Sequence, residues 1–177
     1  MNPVTKWPPF DRKSRDLNVI IETPRGCRNK YSYDEKRKTF KLGGVLPAGA
    51  SFPFDFGFVP QTIGQDGDPL DVLVLMDEPA FCGCLVQCRL IGVIEANQTE
   101  KGKTERNDRL IAVASKAQTH QGIKSLKALD KKLLEEIQHF FVSYNESRGK
   151  KFEPLGCYGP QRARDLVEAG RRKRKKK

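Results

Sequence analysis

Apolar residues alternate with polar ones or come in short runs as far as residue 114, and from residue 126 they recur at helical spacing. Residues 17–22 (LNVIIE) predict a strand, Pro24, Arg25 and Gly26 turn the chain, and residues 30–34 (KYSYD) alternate as a second strand. Residues 39–42 supply a third. Residues 47–58 include Phe52, Pro53, Phe54, Phe56, Gly57 and Phe58, a composition awkward in a helix and suited to a tightly packed loop beside a site. Residues 71–76 and 85–95 carry the strongest strand patterns, and residues 110–114 follow a polar hairpin over 97–109. The helical stripe is Leu126, Leu129, Leu133, Leu134, Ile137, Phe140, Phe141 and Tyr144, with Asp130 a candidate N-cap and Gly149 a candidate stop. A second helix is predicted from Pro160, turning Ala163, Leu166 and Val167 inward. Many short strands followed by two helices imply an α+β fold, a small β-barrel with helices packed outside it.

Length changes this picture little: 177 residues suit one domain with a substantial core, over residues 1–170, and no internal repeat is visible. No apolar run approaches the ~20 residues needed to cross a bilayer. Residues 1–12 hold Pro3, Pro8 and Pro9 and no apolar signal core, so the expected compartment is the cytoplasm, with no membrane partner. Five cysteines are an odd number without the spacing of a secreted disulfide scaffold. Cys82, Cys84 and Cys88 invite a zinc reading, but Cys84, Val86 and Cys88 alternate along a predicted strand, and neither His120 nor His139 has ligand spacing to them. The thiols read as structural or incidental.

Charge is concentrated at one end. Residues 171–177 (RRKRKKK) are all basic, so removing those seven from the formal net charge of +11 leaves +4 for the rest. Such a block reads as a disordered, solvated tail, able to add weak, salt-sensitive attraction to nucleic acid or anionic membranes. No aromatic residues are interleaved with it, so base stacking, and with it a nucleic-acid partner, is not indicated.

The pattern that points to chemistry is Asp66-Gly67-Asp68-Pro69-Leu70-Asp71, three carboxylates in six residues leading into Val72-Leu73-Val74-Leu75-Met76. Asp-Gly alone is an ordinary turn, but a turn gives no reason for the third Asp at the start of a buried strand. A calcium loop needs oxygen ligands at alternate positions with Gly at the sixth, and Leu70 and Asp71 stand in those places. Like charges this close are tolerable when solvated, or useful when cations sit among them. A rigidly mounted acidic loop suits a hard dication such as Mg²⁺, and hence phosphate chemistry.

This loop, with Ile21-Glu22, Lys30-Tyr31, residues 52–58 (FPFDFGF), Gly92-Val93-Ile94 and His139-Phe140-Phe141 with Tyr144, resembles the soluble family I inorganic pyrophosphatases from about residue 17 to residue 156. The resemblance implies a five-stranded OB-like barrel with flanking C-terminal helices, Mg²⁺ dependence, pyrophosphate as substrate and a homo-oligomer, typically a hexamer in prokaryotic members. It implies that Asp66 and Asp71 hold metals, that Glu22 serves a further metal through water, and that Asp68 accepts a proton or orients the attacking water. Lys30, Tyr144 and Arg109 would contact phosphate, Arg109 at the place of a family Lys. Other family positions are neutral here. Ser32 stands for a metal-associated Glu, Gly44 for a phosphate-binding Arg, Phe56 for a Tyr and Asn145 for a Lys. Gln98 and Asn107 stand for two Asp ligands, with Glu100, Glu105 and Asp108 as candidates to replace them.

Overall fold

The computed structural model describes residue 4 and residues 6–176, so Pro3 of the lead and Lys177 of the basic run lie outside the described residues. Its strands are β1 (Leu17–Thr23), β2 (Asn29–Asp34), β3 (Thr39–Val45), β4 (Asp55–Phe58), β5 (Asp71–Leu75), β6 (Leu85–Glu100), β7 (Lys103–Arg106), β8 (Arg109–Ala114) and β9 (Lys151–Tyr158). The helices are α1 (Lys131–Glu146) and α2 (Pro160–Lys176). Five strands close a ring: β1 pairs with β4, β4 with β5, β5 with β8, β8 with β6 and β6 with β1. β5–β8 is the one parallel pairing among the described strands. The α+β barrel expected from the sequence is therefore present as a closed five-strand ring, with β2–β3 as a separate hairpin beside it. No described helix is long and apolar enough to cross a membrane.

β5 shows why the ring is stable. Val72, Leu73, Val74 and Leu75 are all fully buried, because one face points into the ring and the other is covered from outside. A strand buried on both faces reads as a continuous apolar run, as this one does. Outside the ring, α1 packs against β9, with Phe141 beside Phe152 at 5.8 Å; its Asp130 cap accepts the Leu133 N–H at 3.1 Å, and its Ile137 and Phe141 are buried. Leu126 belongs to a separate short 3-10 helix, Leu126–Ala128, so the apolar stripe begins before α1 does. On α2, Ala163 and Val167 are buried as expected, with Leu166 half-buried.

Three expectations need correction. Residues 55–58, expected as part of a loop, form β4, and all four are buried. Alternation is missing there because both faces are covered, and Asp55 is retained inside because its carboxylate accepts the Arg25 and Ala80 N–H groups, each at 2.7 Å. β9 was not expected at all; Pro154 and Gly156 break its pattern, and β6 is long enough to pair with it beyond residue 95. The basic run is also not an unstructured tail as far as residue 176, since α2 continues through it. Lys and Arg are good helix formers and are favoured at a helix C-terminus, and Arg174 pairs with Glu35 at 3.1 Å.

Gly57 sets the contact between β4 and β1. A Cβ there would stand 2.0 Å from the Ile20 carbonyl oxygen, a backbone atom that cannot step aside. Gly57→Ala is therefore expected to cost more than about 2 kcal/mol, roughly 4–8 °C in Tm for a chain of this size, measured by thermal unfolding. An unchanged Tm would mean that the β1–β4 register differs from the one described.

Candidate active site

The loop between β4 and β5 is built to present carboxylates. It folds back on itself twice, with the Val59 N–H donating to Leu70 O at 2.9 Å and the Gly64 N–H to Asp68 O at 2.7 Å. Thr62 clamps the base: its hydroxyl donates to Val59 O at 2.7 Å and accepts the Leu70 N–H at 3.1 Å. Gly67, at φ 90°, makes a left-handed turn that a side chain would strain, and Asp66 closes that turn by accepting the Asp68 N–H at 3.1 Å. The Ile63 N–H reaches Gly170 O of α2 at 3.2 Å, mooring the loop from its other side.

Asp71 opens β5 at the mouth of the ring. Its ladder partner in β8 is Arg109, and the two side chains pair at 2.7 Å. Arg109 is only 4% exposed, with its guanidinium 5.2 Å from the ring centres of both Phe141 and Phe152. Asn107 also accepts a hydrogen bond from it through its side chain. Expected as a substrate contact, Arg109 thus lies beneath the mouth, engaged with Asp71.

Glu22 and Lys30 arrive from β1 and β2, each at a break in strand register: β1–β4 shifts between Ile21 and Thr23, and β2–β3 between Lys30 and Tyr31. Such irregularities re-aim side chains next to a site. Lys30 Nζ lies 2.9 Å from Glu22 Oε2, 2.7 Å from Tyr31 O and 4.6 Å from the centre of the Phe56 ring. The second Glu22 oxygen accepts the Tyr33 N–H at 2.7 Å. Both charges are felt at Asp71, so the two pairs belong to one electrostatic unit. Tyr144 packs edge-on to Phe52 at 5.5 Å and stacks on Phe140 at 5.8 Å, while its hydroxyl accepts a hydrogen bond from Arg148 at 3.0 Å.

The electrostatics single out the loop. Burial first, and then the charges of Asp71 and Asp68, push Asp66 up to about 6, against the Asp68 N–H that stabilises its charged form. Asp68 is raised by burial and by Asp71. Asp71 is raised by burial, with Arg109 and Lys30 opposing the rise. All three acids are shifted upward, each chiefly by burial, which disfavours the charged form. Among the described residues no three His, Cys, Asp or Glu side chains close on one point as a ready-made cage. The all-oxygen donor set and the shared upward shift nonetheless fit a hard dication held between the loop and its surroundings.

The hairpin acids have other partners. Glu100 pairs with Lys150 at 2.9 Å and Glu105 with Lys103 at 2.6 Å, while Asp108 accepts from the Ala96 N–H at 3.0 Å and from Arg106 at 3.1 Å. Asn107 donates to Gln98 at 3.2 Å. A cavity of about 80 Å³, lined by Asp66, Asp71, Arg106, Asn107 and Leu166, separates the acidic loop from the hairpin and α2. Two cations at the mouth were not singled out from the sequence. Lys150, whose charge is felt at Asp68, and Arg148 follow the end of α1, where basic residues read simply as partners of the helix dipole. All five cysteines are free, and Cys88 is fully buried in the core.

A family model described as inorganic pyrophosphatase matches residues 19–175. The inorganic pyrophosphatase of Synechocystis sp. is 38% identical over 160 residues, covering 90% of this chain and 92% of that protein. That of Halalkalibacterium halodurans is 39% identical over 142 residues, covering 80% of this chain and 84% of its own. The crystal structure of inorganic pyrophosphatase from Thermus thermophilus has a TM-score of 0.88 at 33% identity, covering 99% of each chain. The family match takes in the acidic loop, the β6–β7 hairpin and both helices. The chain belongs to the inorganic pyrophosphatase family.

Proposed function

We propose that this protein hydrolyses inorganic pyrophosphate to two phosphates, in a site formed by Asp66, Asp68, Asp71, Glu22, Lys30 and Tyr144. The observation that carries the reading is the acidic loop, where three carboxylates are raised chiefly by burial, with the Asp71 charge adding to the rise at Asp66 and Asp68. Asp66 and Asp71 are the proposed metal ligands, with Glu22 serving a further metal through water. Mg²⁺ is the proposed ion because every donor is a hard oxygen. Dications bound there neutralise substrate oxygens and lower the pKa of the attacking water.

The remaining work belongs to the chain's own groups. Asp68 is the proposed group that orients that water and takes its proton as the oxygen adds to one phosphorus and the bridging P–O bond breaks. Lys30, already desolvated over Phe56, offers its ammonium to a phosphoryl oxygen, and the Tyr144 hydroxyl offers a neutral donor. Arg109 is assigned through Asp71: its buried guanidinium fixes that carboxylate rather than reaching the substrate. Five free thiols fit a reducing compartment, so cytoplasmic residence is retained as part of the proposal. A homo-oligomer is retained as well, hexameric by resemblance, with Leu155 and Tyr158 as exposed apolar residues on β9 to be covered. The basic end of α2 is read as a solvated extension of the single domain.

A second reading, hydrolysis of a different phosphoanhydride, is favoured by the apolar Phe56 and the side-chain-free Gly44 on the substrate side. Both readings are tested by phosphate release from pyrophosphate, triphosphate and nucleotides with Mg²⁺. Pyrophosphate is expected to be turned over fastest, with Asp71→Asn lowering kcat at least ~10²-fold. Fastest turnover of triphosphate or a nucleotide establishes the second reading. Phosphate release from none of them, beside measurable Mg²⁺ binding, establishes a non-catalytic metal-binding homologue.

A further inference from the structure

We propose that Arg148 is a substrate-binding residue, supplying from beyond α1 a phosphate-clamping cation over Gly44, where β3 offers no side chain. The assignment rests on the pyrophosphate reading for its substrate and on the following geometry for its place.

The backbone at Arg148 is fixed. The Arg148 N–H donates to Asn145 O at 2.9 Å, the Lys150 N–H donates to the same oxygen at 3.0 Å, and Gly149, at φ 72°, turns the chain from α1 into β9. From there the guanidinium extends along Tyr144, 5.5 Å from the ring centre, and donates to the Tyr144 hydroxyl at 3.0 Å. A Cβ at Gly44 would stand 3.4 Å from Arg148 Nη1, with nothing else within 4 Å beyond the glycine's own chain neighbours. The guanidinium therefore fills the space into which a side chain from β3 would project.

That space faces the site. Gly44 is the cross-strand partner of Lys30, so the missing side chain and Lys30 share one face of the β2–β3 hairpin. Lys30 lies over Phe56, Phe56 packs against Phe52 at 5.5 Å, and Phe52 packs against Tyr144 at 5.5 Å. An aromatic row thus carries Lys30 at one end and Arg148 at the other.

Charge distinguishes Arg148 from its neighbours. Lys30 is paired with Glu22, Arg109 with Asp71 and Lys150 with Glu100, each within 2.9 Å. Arg148 makes no ion pair with a carboxylate among the described residues, although Glu100 feels its charge at longer range. A guanidinium steadied by a ring and a hydroxyl, with its charge uncommitted, suits bidentate binding of a phosphoryl group. The sequence hides this because the cation and the glycine beneath it are 104 positions apart.

The test compares wild type, Arg148→Ala and the double variant Gly44→Arg/Arg148→Ala. It reads the KM for pyrophosphate, the calorimetric Kd for methylenediphosphonate in the presence of Mg²⁺, and Tm. Arg148 is exposed, so its truncation is expected to leave Tm unchanged. Loss of one charge-assisted contact is expected to weaken the KM and the Kd by about 10–100-fold, and the arginine returned from position 44 is expected to recover most of that loss. Unchanged KM and Kd in Arg148→Ala would overturn the assignment. A folded double variant as weak as the single one would overturn the placement over Gly44. Wild type that binds the diphosphonate in an Arg148-dependent way but releases no phosphate would sink the hydrolysis and leave this assignment standing.

Discussion

Closing the ring with a parallel β5–β8 pair sets Asp71 directly opposite Arg109, and much of the structure is arranged around that contact. Arg109 is nearly inaccessible, so its charge is tolerable only with the Asp71 carboxylate at one end and the faces of Phe141 and Phe152 around it. Phe141 belongs to α1 and Phe152 to β9, so one ion pair ties the acidic loop, the ring, the outer helix and the last strand together. Breaking such a pair from one side leaves an uncompensated charge and typically costs about 3–5 kcal/mol. Fold and site therefore cannot be altered independently at this point. Asp71→Asn is the milder change because it keeps shape and a polar partner for the guanidinium.

Around that contact the site divides into two differently charged halves. The loop half is acidic, with Asp66, Asp68 and Asp71 all raised by burial while Arg109 and Lys30 oppose the rise at Asp71. The other half carries the neutral residues, and several have structural tasks. Asn145 is buried and donates to Phe141 O at 2.8 Å, which keeps it away from the mouth. Asn107 binds Arg109 and Gln98, holding the base of the hairpin rather than offering a carboxylate. Phe56 gives Lys30 an aromatic floor in place of a hydroxyl. With neutral residues at these positions, the cations on this side are Lys30 and Arg148, the two proposed to meet the substrate.

The sequence showed the parts of the fold whose pattern survives burial. Val72 to Leu75 and the residue 17–22 strand were legible because apolar runs between turn residues have few other uses, and Asp130 was legible as the cap of α1. β4 was not, because burial on both faces erased its alternation and Phe, Pro and Gly crowd around it. Pro154 and Gly156 hid β9 in the same way. At the site, the spacing of Asp66, Asp68 and Asp71 announced itself, since three acids within six residues are forced together by the chain itself. The pairing of Arg109 with Asp71 and the approach of Arg148 to Gly44 depend on strand register and helix placement, so no local pattern encodes them.

Burial holds the Asp66 carboxyl above its ordinary range, so a dication taken up there, as proposed, would displace a proton. Asp66 is raised above its unfolded value, so it favours the protonated folded protein at low pH and loses that contribution as pH rises through about 6. A cation that binds the charged form must displace that proton. The direct measurement is calorimetric titration of Mg²⁺ into chelator-treated protein at about pH 7.5, 6 and 5, in buffers of different ionisation enthalpy, beside Asp66→Asn. Saturable binding is expected at the highest pH, with proton release that grows toward pH 6, weaker affinity at pH 5, and loss of both the proton release and much of the affinity in the variant. Binding that is absent, or equally tight at every pH and in Asp66→Asn, would contradict it.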